Sequence, residues 1–437
     1  MTSTASLPLG EPGDASDAAS AAPASDSAFA SRPKPQIGLV LGSVLVLYLG
    51  QMMLNPLVAP LARQIGLAEW QIGLMVSISA ITVVVGSSFW GRRSVSWGRR
   101  PVLAISMFGG ATALLLFAVL AQLGVLRALP TTVLFVLLVI VRGLLYGFMV
   151  SAAMPTAQAY IADTTETEEQ RRRGLGGLGA MQGLAMVLGA AAGGALAAFG
   201  LLVPIWIIPG LVLVGALLVV TRLRRETRHE LIADLPKVSA RDRRVWPFLL
   251  AGFGAFTALG LIQILVGFLV QDRFHLDPNI AATVTGGSLL AAGIGMVLAQ
   301  AIIARRVSWS PRTLLIVGVA IALAGFVSLP FDLGLPLFVV ANAALGLGLG
   351  LAMVGYTVGP TLLVSKREQG GLAGLTASTT ALTFVITPTL GTALYGVWGP
   401  LPIVVAIAVL VLVLVFLLVH PAFRAASRAQ RATPHEG

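Results

Sequence analysis

The chain has no cysteine in its 437 residues, which excludes disulfide bridges and thiolate metal sites. It is also poor in charge: Asp, Glu, Lys and Arg make up 11% of it and hydrophobic residues 57%, whereas a soluble protein is roughly half apolar and about a quarter charged. So little charge does not keep a chain of this size in water, and the composition places it in the membrane class. A G-x-x-x-x-G-K-[ST] loop is missing, which disfavours an ATP-driven pump. No constellation of nucleophile, base and stabiliser stands out, and no metal-ligand cluster, so the chain does not read as an enzyme. No cofactor is expected. The net charge of +11 does not point to nucleic acid, because the basic residues alternate with apolar segments and do not cluster on one polar domain.

Residues 1–35 are rich in Ala, Ser, Pro and Asp and lack both a basic n-region and a compact apolar h-region. They read as a disordered cytoplasmic tail and not as a signal peptide. A bilayer core needs about 20 apolar residues per helix. That ruler gives twelve spans, near 37–59, 72–91, 101–122, 131–154, 176–199, 201–221, 246–270, 281–303, 313–330, 333–357, 371–396 and 399–420. The polar stretch 222–245 divides them six and six. The expected organisation is a six-helix bundle over 36–221, a cytoplasmic linker over 222–245, a second bundle over 246–421 and a tail over 422–437.

With the N-terminus inside, 25 of the 29 Lys and Arg residues fall in inner segments, whereas Arg63, Arg127 and Arg273 fall outside and Arg142 lies within a span. Basic residues accumulate on the cytoplasmic side, so both termini are expected there. "RRSVSWGRRPVL" at 92–103 returns as "ARRVSWSPRTLL" at 304–315, just after spans 2 and 8 respectively. "LGAAAGGALAAFG" in span 5 likewise has a looser echo, "ITPTLGTALYG", in span 11. Equivalent phrases at equivalent positions mark a duplication, and two related bundles suggest a secondary transporter that rocks about a central site.

At these residues the chain, from about 36 to 421, resembles the major facilitator superfamily and, within it, the twelve-span drug:proton antiporters. The loop after span 2 is similar to the family signature G-x-L-a-D-r-x-G-r-[RK] at Gly91, Gly98, Arg99 and Arg100, with Val95 where the family has Asp. Asp163, at the end of span 4, resembles the acidic partner of these arginines. "GLAMVLGAAAGG" at 183–194 is similar to the antiporter pattern G-x-x-x-G-P-x-x-G-G with Ala190 for Pro, and "RGLLYGFMVSAA" at 142–153 resembles R-x-x-x-G with its glycine one place late. Gly189, Gly193 and Gly194 also suit close helix packing. The resemblance implies an all-α integral membrane fold of two pseudo-symmetric six-helix bundles, in which spans 1, 4, 7 and 10 line a central cavity.

Arg142 sits near mid-span, where a charge costs about 2.5–3.5 kcal/mol on insertion scales and so turns to an interior or a water-filled cavity. Tyr146 and Met149 follow at helical spacing, and Tyr48, Gln51 and Asn55 share a face of span 1. With Gln263 and Gln271 in span 7 and Asn342 and Tyr356 in span 10, these side chains are the expected cavity lining. Asn55-Pro56, Pro60 and Pro388 are expected bending points. None of the 18 acidic residues lies mid-span, and Glu69, Asp163 and Asp272 stand at span ends, so no proton carrier is evident. The expected function is efflux of small amphiphilic or drug-like compounds by a monomeric inner-membrane transporter, with or without proton coupling. The alternative is carriage of an organic anion such as a carboxylate or siderophore, and a non-transporting receptor ranks below both.

The charge count predicts sidedness directly. In the cysteine-free background, single cysteines at Ser94 and Ser308 should label only from the cytoplasm and one at Asp277 only from outside. Labelling of Ser94→Cys and Asp277→Cys from one side would refute the arrangement.

Overall fold

The computed structural model describes residues 36–165, 167–224, 239–303, 309–332, 334–365 and 368–424. The tail expected over 1–35, most of the linker, the echo at 304–308 including Ser308, and the last residues from 425 lie outside the described residues.

Twelve helices among the described residues are long and apolar enough to cross a bilayer. In chain order they are α1 (Ile37–Gln64), α2 (Glu69–Trp97), α3 (Arg99–Val125), α4 (Thr131–Thr164), α5 (Glu168–Ala197) and α6 (Leu202–Arg222). The second six are α7 (Trp246–Phe274), α8 (Pro278–Gln300), α9 (Pro311–Ser328), α10 (Gly334–Thr361), α11 (Gln369–Val397) and α12 (Leu401–Val419). Each expected span has its helix, and most run longer than the apolar segment, because a helix satisfies its own backbone on into polar flanks. The ends follow local chemistry. Thr167 caps α5 by accepting from Gln170 N at 3.2 Å, and Ser310 caps α9 by accepting from Thr313 N at 3.2 Å. Gly98, at φ +92, turns the chain between α2 and α3 in a region L side chains avoid. The helices continue through Pro56, Pro60 and Pro388, at which bends were expected.

Two large hydrophobic cores form, one almost wholly from α1–α6 and one almost wholly from α7–α12. The exceptions mark where the halves touch: Ala282 of α8 joins the first core and Ala59 of α1 the second. Large apolar side chains such as Val85, Leu412 and Val419 point outward, at 68%, 69% and 70% exposure, as lipid contact demands. Beyond the spans, Arg244 ties Asp242 to Glu368. Arg244 holds the Asp242 carboxyl below its ordinary range, and the Ser365 N–H and hydroxyl, with Arg244, do the same for Glu368.

The faces of the molecule differ. Calling the end that carries Arg99 and Arg100 the basic face, contacts between the halves gather at the opposite, far face. There Thr283 Oγ1 of α8 donates to Gly194 O of α5 at 3.0 Å, and Thr389 Oγ1 of α11 hydrogen-bonds Ser77 Oγ of α2 at 2.8 Å. A Cβ on Gly194 would lie 2.9 Å from Gly286 Cα, so α5 and α8 meet backbone to backbone. Toward the basic face, a Cβ on Gly176 or Gly179 of α5 or on Gly374 of α11 would meet nothing within 4 Å. The hydrogen bonds and glycine contacts that join the halves among the described residues therefore lie toward the far face.

Helix α5 also packs on α1 through Gly189 and Gly193; a Cβ on Gly193 would lie 2.2 Å from Met53 O, whereas one on Gly183 would meet nothing within 4 Å. Gly193→Val should therefore cost about 1–3 kcal/mol by overpacking and lower the thermal midpoint in detergent, while Gly183→Val should not. Equal midpoints for the two variants would contradict this packing.

Candidate functional site

A cavity of about 40 Å³ lies between the halves. Its wall comes from α1 (Met52, Asn55), α5 (Met186, Ala190), α7 (Leu259, Ile262, Gln263), α8 (Leu289, Ala292, Gly293, Met296) and α10 (Asn342, Leu345, Gly346, Leu349). Aliphatic carbon and three thioethers dominate the lining, with three amides as its polar points. Asn342 already donates to Phe338 O at 2.9 Å, and Asn55 Nδ2 lies 3.4 Å from Met52 Sδ. Close approach of α8 and α10 is a matter of small residues, since a Cβ on Gly346 would fall 1.8 Å from Ala292 O.

The residues expected to line this cavity divide. Asn55, Gln263 and Asn342 do line it, while Gln51 and the whole of α4 are not in its wall. Tyr356 lines a smaller neighbouring cavity that shares Leu259 and Leu349, and its hydroxyl donates to Thr376 O at 3.1 Å. Tyr48 stands beside Gln182 of α5, away from the main lining. The Arg142 guanidinium lies over the Tyr146 ring, 4.5 Å from its centroid, with Nη1 3.4 Å from Ser79 Oγ. The Tyr146 hydroxyl is buried without a hydrogen-bond partner among the described residues. Among the described residues no carboxylate pairs with Arg142.

Met149 does not share the Arg142 face, and the backbone explains why. Val139–Leu145 is a π-helical segment, closed by Tyr146 N–H bonding back five residues to Val141 O. Its wider turns break the 3.6-residue spacing on which the expected face rested. Met149 points instead at α3, where its sulfur would be 2.4 Å from a Cβ on Gly109. Carbonyls near this irregular stretch are satisfied by neighbouring helices: Trp90 Nε1 donates to Phe148 O at 2.8 Å and Ser106 Oγ to Met149 O at 2.7 Å, as backbone inside a membrane requires.

At the basic face Arg99, only 8% exposed, donates to Asp163 Oδ2 from Nε at 3.1 Å and Nη2 at 2.8 Å, and to Ser94 Oγ from Nη1 at 2.6 Å. Arg100 turns the other way, to the Val220 carbonyl of α6. Where the family places an acid, Val95 leaves Arg99 to Asp163 and the neighbouring Ser94. Gly91 lies next to Pro155 of α4, where a Cβ would approach to 4.0 Å.

Sequence reasoning missed a cluster at the far face. Arg63 of α1 binds the Asp272 carboxylate of α7 through both terminal nitrogens, Nη2 to Oδ2 at 2.9 Å, and reaches Glu69 Oε1 of α2 at 3.3 Å. Tyr395 of α11 donates its hydroxyl to Asp272 Oδ2. Asp272 and Tyr395 stand at span ends far along the chain from Arg63 and Glu69, and three charges at span ends were the only signal.

The family model described as the Major Facilitator Superfamily matches residues 40–382 and 248–436. The chain is 28% identical to the tetracycline resistance protein, class C, of Escherichia coli, over 82% of this chain and 89% of that one. It is 30% identical to the class G protein of Vibrio anguillarum, over 80% and 88%. The crystal structure of the human organic anion transporter MFSD10 (TETRAN) superposes at a TM-score of 0.60 with 16% identity, over 88% of this chain and 100% of that one.

Asp163→Asn keeps an acceptor for Arg99 but removes the charge, so it should lower transport turnover while expression and ligand affinity stay near wild type. Asp163→Ala leaves a buried guanidinium unpaired and should also destabilise the protein by about 3 kcal/mol. Unchanged flux in Asp163→Asn would reduce this pair to a structural contact.

Proposed function

The chain belongs to the Major Facilitator Superfamily, and from that premise we propose that it exports amphiphilic, drug-like compounds by alternating access, as a monomer with its basic face in the cytoplasm of a bacterial inner membrane. The cavity lining carries this reading: it is aliphatic and thioether-rich, has three amides and bears no charged side chain. Such a wall accepts varied lipophilic bodies and orients them with few hydrogen bonds. The tetracycline resistance relatives support export of compounds of that kind.

Arg142 sets the preferred charge. A cation near mid-span with no carboxylate beside it raises the local potential, so neutral and anionic ligands are favoured over lipophilic dications. The second reading, carriage of an organic anion, rests on this same residue. Because Arg142 is stacked on Tyr146 and stands outside the cavity wall, the apolar cavity weighs more. Flux under an imposed pH gradient tests proton coupling, which would accelerate export when protons run inward.

Binding of neutral, monoanionic and dicationic lipophilic ligands to the purified protein separates these readings. Neutral ligands should bind at least as well as monoanions and better than dications. Leu289→Trp, which fills the cavity, should weaken the neutral ligand by about tenfold or more, equivalent to about 1.4 kcal/mol. Arg142→Ala should weaken the monoanion selectively, and Arg142→Lys should restore it only in part. Preferential dication binding by the wild type, or unaltered binding in Leu289→Trp, would overturn the proposal, and binding confined to monoanions would favour the second reading.

A further inference from the structure

We propose that Arg63, Asp272 and Tyr395 form the far-face gate of the transport cycle, with Asp272 as its hub. The cluster joins helices of both halves: Arg63 and Glu69 belong to α1 and α2, Asp272 and Tyr395 to α7 and α11. Asp272 receives the Arg63 fork from across the divide and the Tyr395 hydroxyl from its own half, and the Arg63–Asp272 contact cannot persist if the far ends of α1 and α7 separate. The proposal rests on alternating access and adds the residues that hold one of its two states.

Three features make this a gate and not a static brace. First, the side chains of Arg63 and Asp272 are 30% and 47% exposed, so water can take over their hydrogen bonds as the rim opens; exposed pairs of this kind add little to overall stability. Second, beneath the cluster the halves meet through small hydroxyl contacts, Thr283 to Gly194 O and Thr389 to Ser77, and through backbone at glycine. Gly194 meets Gly286 through backbone atoms, and Gly73 meets the Pro388 carbonyl, where a Cβ would fall at 2.3 Å. Smooth faces of this kind allow helices to approach and withdraw, so a directional contact at the rim decides which arrangement prevails. Third, Arg63 makes a second contact across the same divide: its guanidinium lies 5.4 Å from the centre of the Phe268 ring, one turn before Asp272 on α7, so both contacts are lost together. The basic face is then the half of the molecule that closes when this rim opens.

These are positioning residues, since none lines the cavity, and conformation is the quantity to measure. Spin-label pairs in the cysteine-free chain report both faces: Leu126 with Phe331 on exposed far-face loops, and Ser96 with Ala373 on the basic-face ends of α2 and α11. Asp272→Asn should raise the ratio of far-face-open to far-face-closed molecules by about threefold, the scale of a part-exposed ion pair. The far-face distances should lengthen and the basic-face distances shorten together. Tyr395→Phe, which keeps the ring against Phe268, should move both pairs the same way by less. The exchanged pair, Arg63→Asp with Asp272→Arg, should return the distributions toward wild type. Unchanged distances in both Asp272→Asn and Tyr395→Phe, or an Asp272→Asn shift that the exchanged pair does not reverse, would overturn the gate. No substrate is needed, so failure here leaves the exporter reading standing, and failure of ligand binding leaves the gate standing.

Discussion

The contact on which the rest of this structure depends is the approach of one helix backbone to another at glycine. Lipid supplies no hydrophobic force to press helices together, so they associate where backbones can come close and where a few polar groups find partners. Here α5 meets α1 at Gly189 and Gly193 and meets α8 at Gly194, while α10 meets α8 at Gly346. One glycine-rich helix thus belongs to the first bundle and to the seam between bundles. The cavity exists because these contacts fix the distance between α1, α5, α7, α8 and α10 while leaving space among their larger side chains.

Charge is arranged around that framework with economy. Arg99 and Asp163 bind α3 to α4 at one face within a single half. Arg63 and Asp272 bind the two halves at the other. The space between holds amides, hydroxyls, thioethers and one guanidinium stacked on a tyrosine. A lipophilic ligand therefore meets an uncharged wall, and these ionic contacts stay at the rims, where water lowers the cost of breaking them.

The sequence made the scaffold legible because a span of apolar residues in a bilayer has few alternatives to a helix. The same logic located Asn55, Gln263 and Asn342, since an amide inside an apolar span needs a cavity or a partner. It did not locate Met52, Met186 and Met296, because methionine in an apolar helix carries no mark that separates lining from packing. Tyr356 and Gln51 share that ambiguity, and the direction of a helix face has to be fixed by its neighbours. Met149 was misplaced for a specific reason: counting by 3.6 assumes an unbroken helix, and the segment around Arg142 is not one. The Arg63–Asp272 contact, 209 residues apart in the chain, was invisible because nothing local ties a residue at the end of one span to the end of another.

That wide-turned segment gives α4 a rotational setting as well as a shape. Everything from Tyr146 to Asp163 hangs from Val139–Leu145, and a helix turns about 100° per residue. Removing one residue from Val139–Leu145 would leave the length and hydropathy of α4 almost untouched, yet it would change the wide turn that sets where Arg142 and Tyr146 point relative to Phe148, Met149 and Asp163. Insertions and deletions along this helix are consequently far less neutral than its monotonous composition suggests, because the spacing between its two ends encodes an angle.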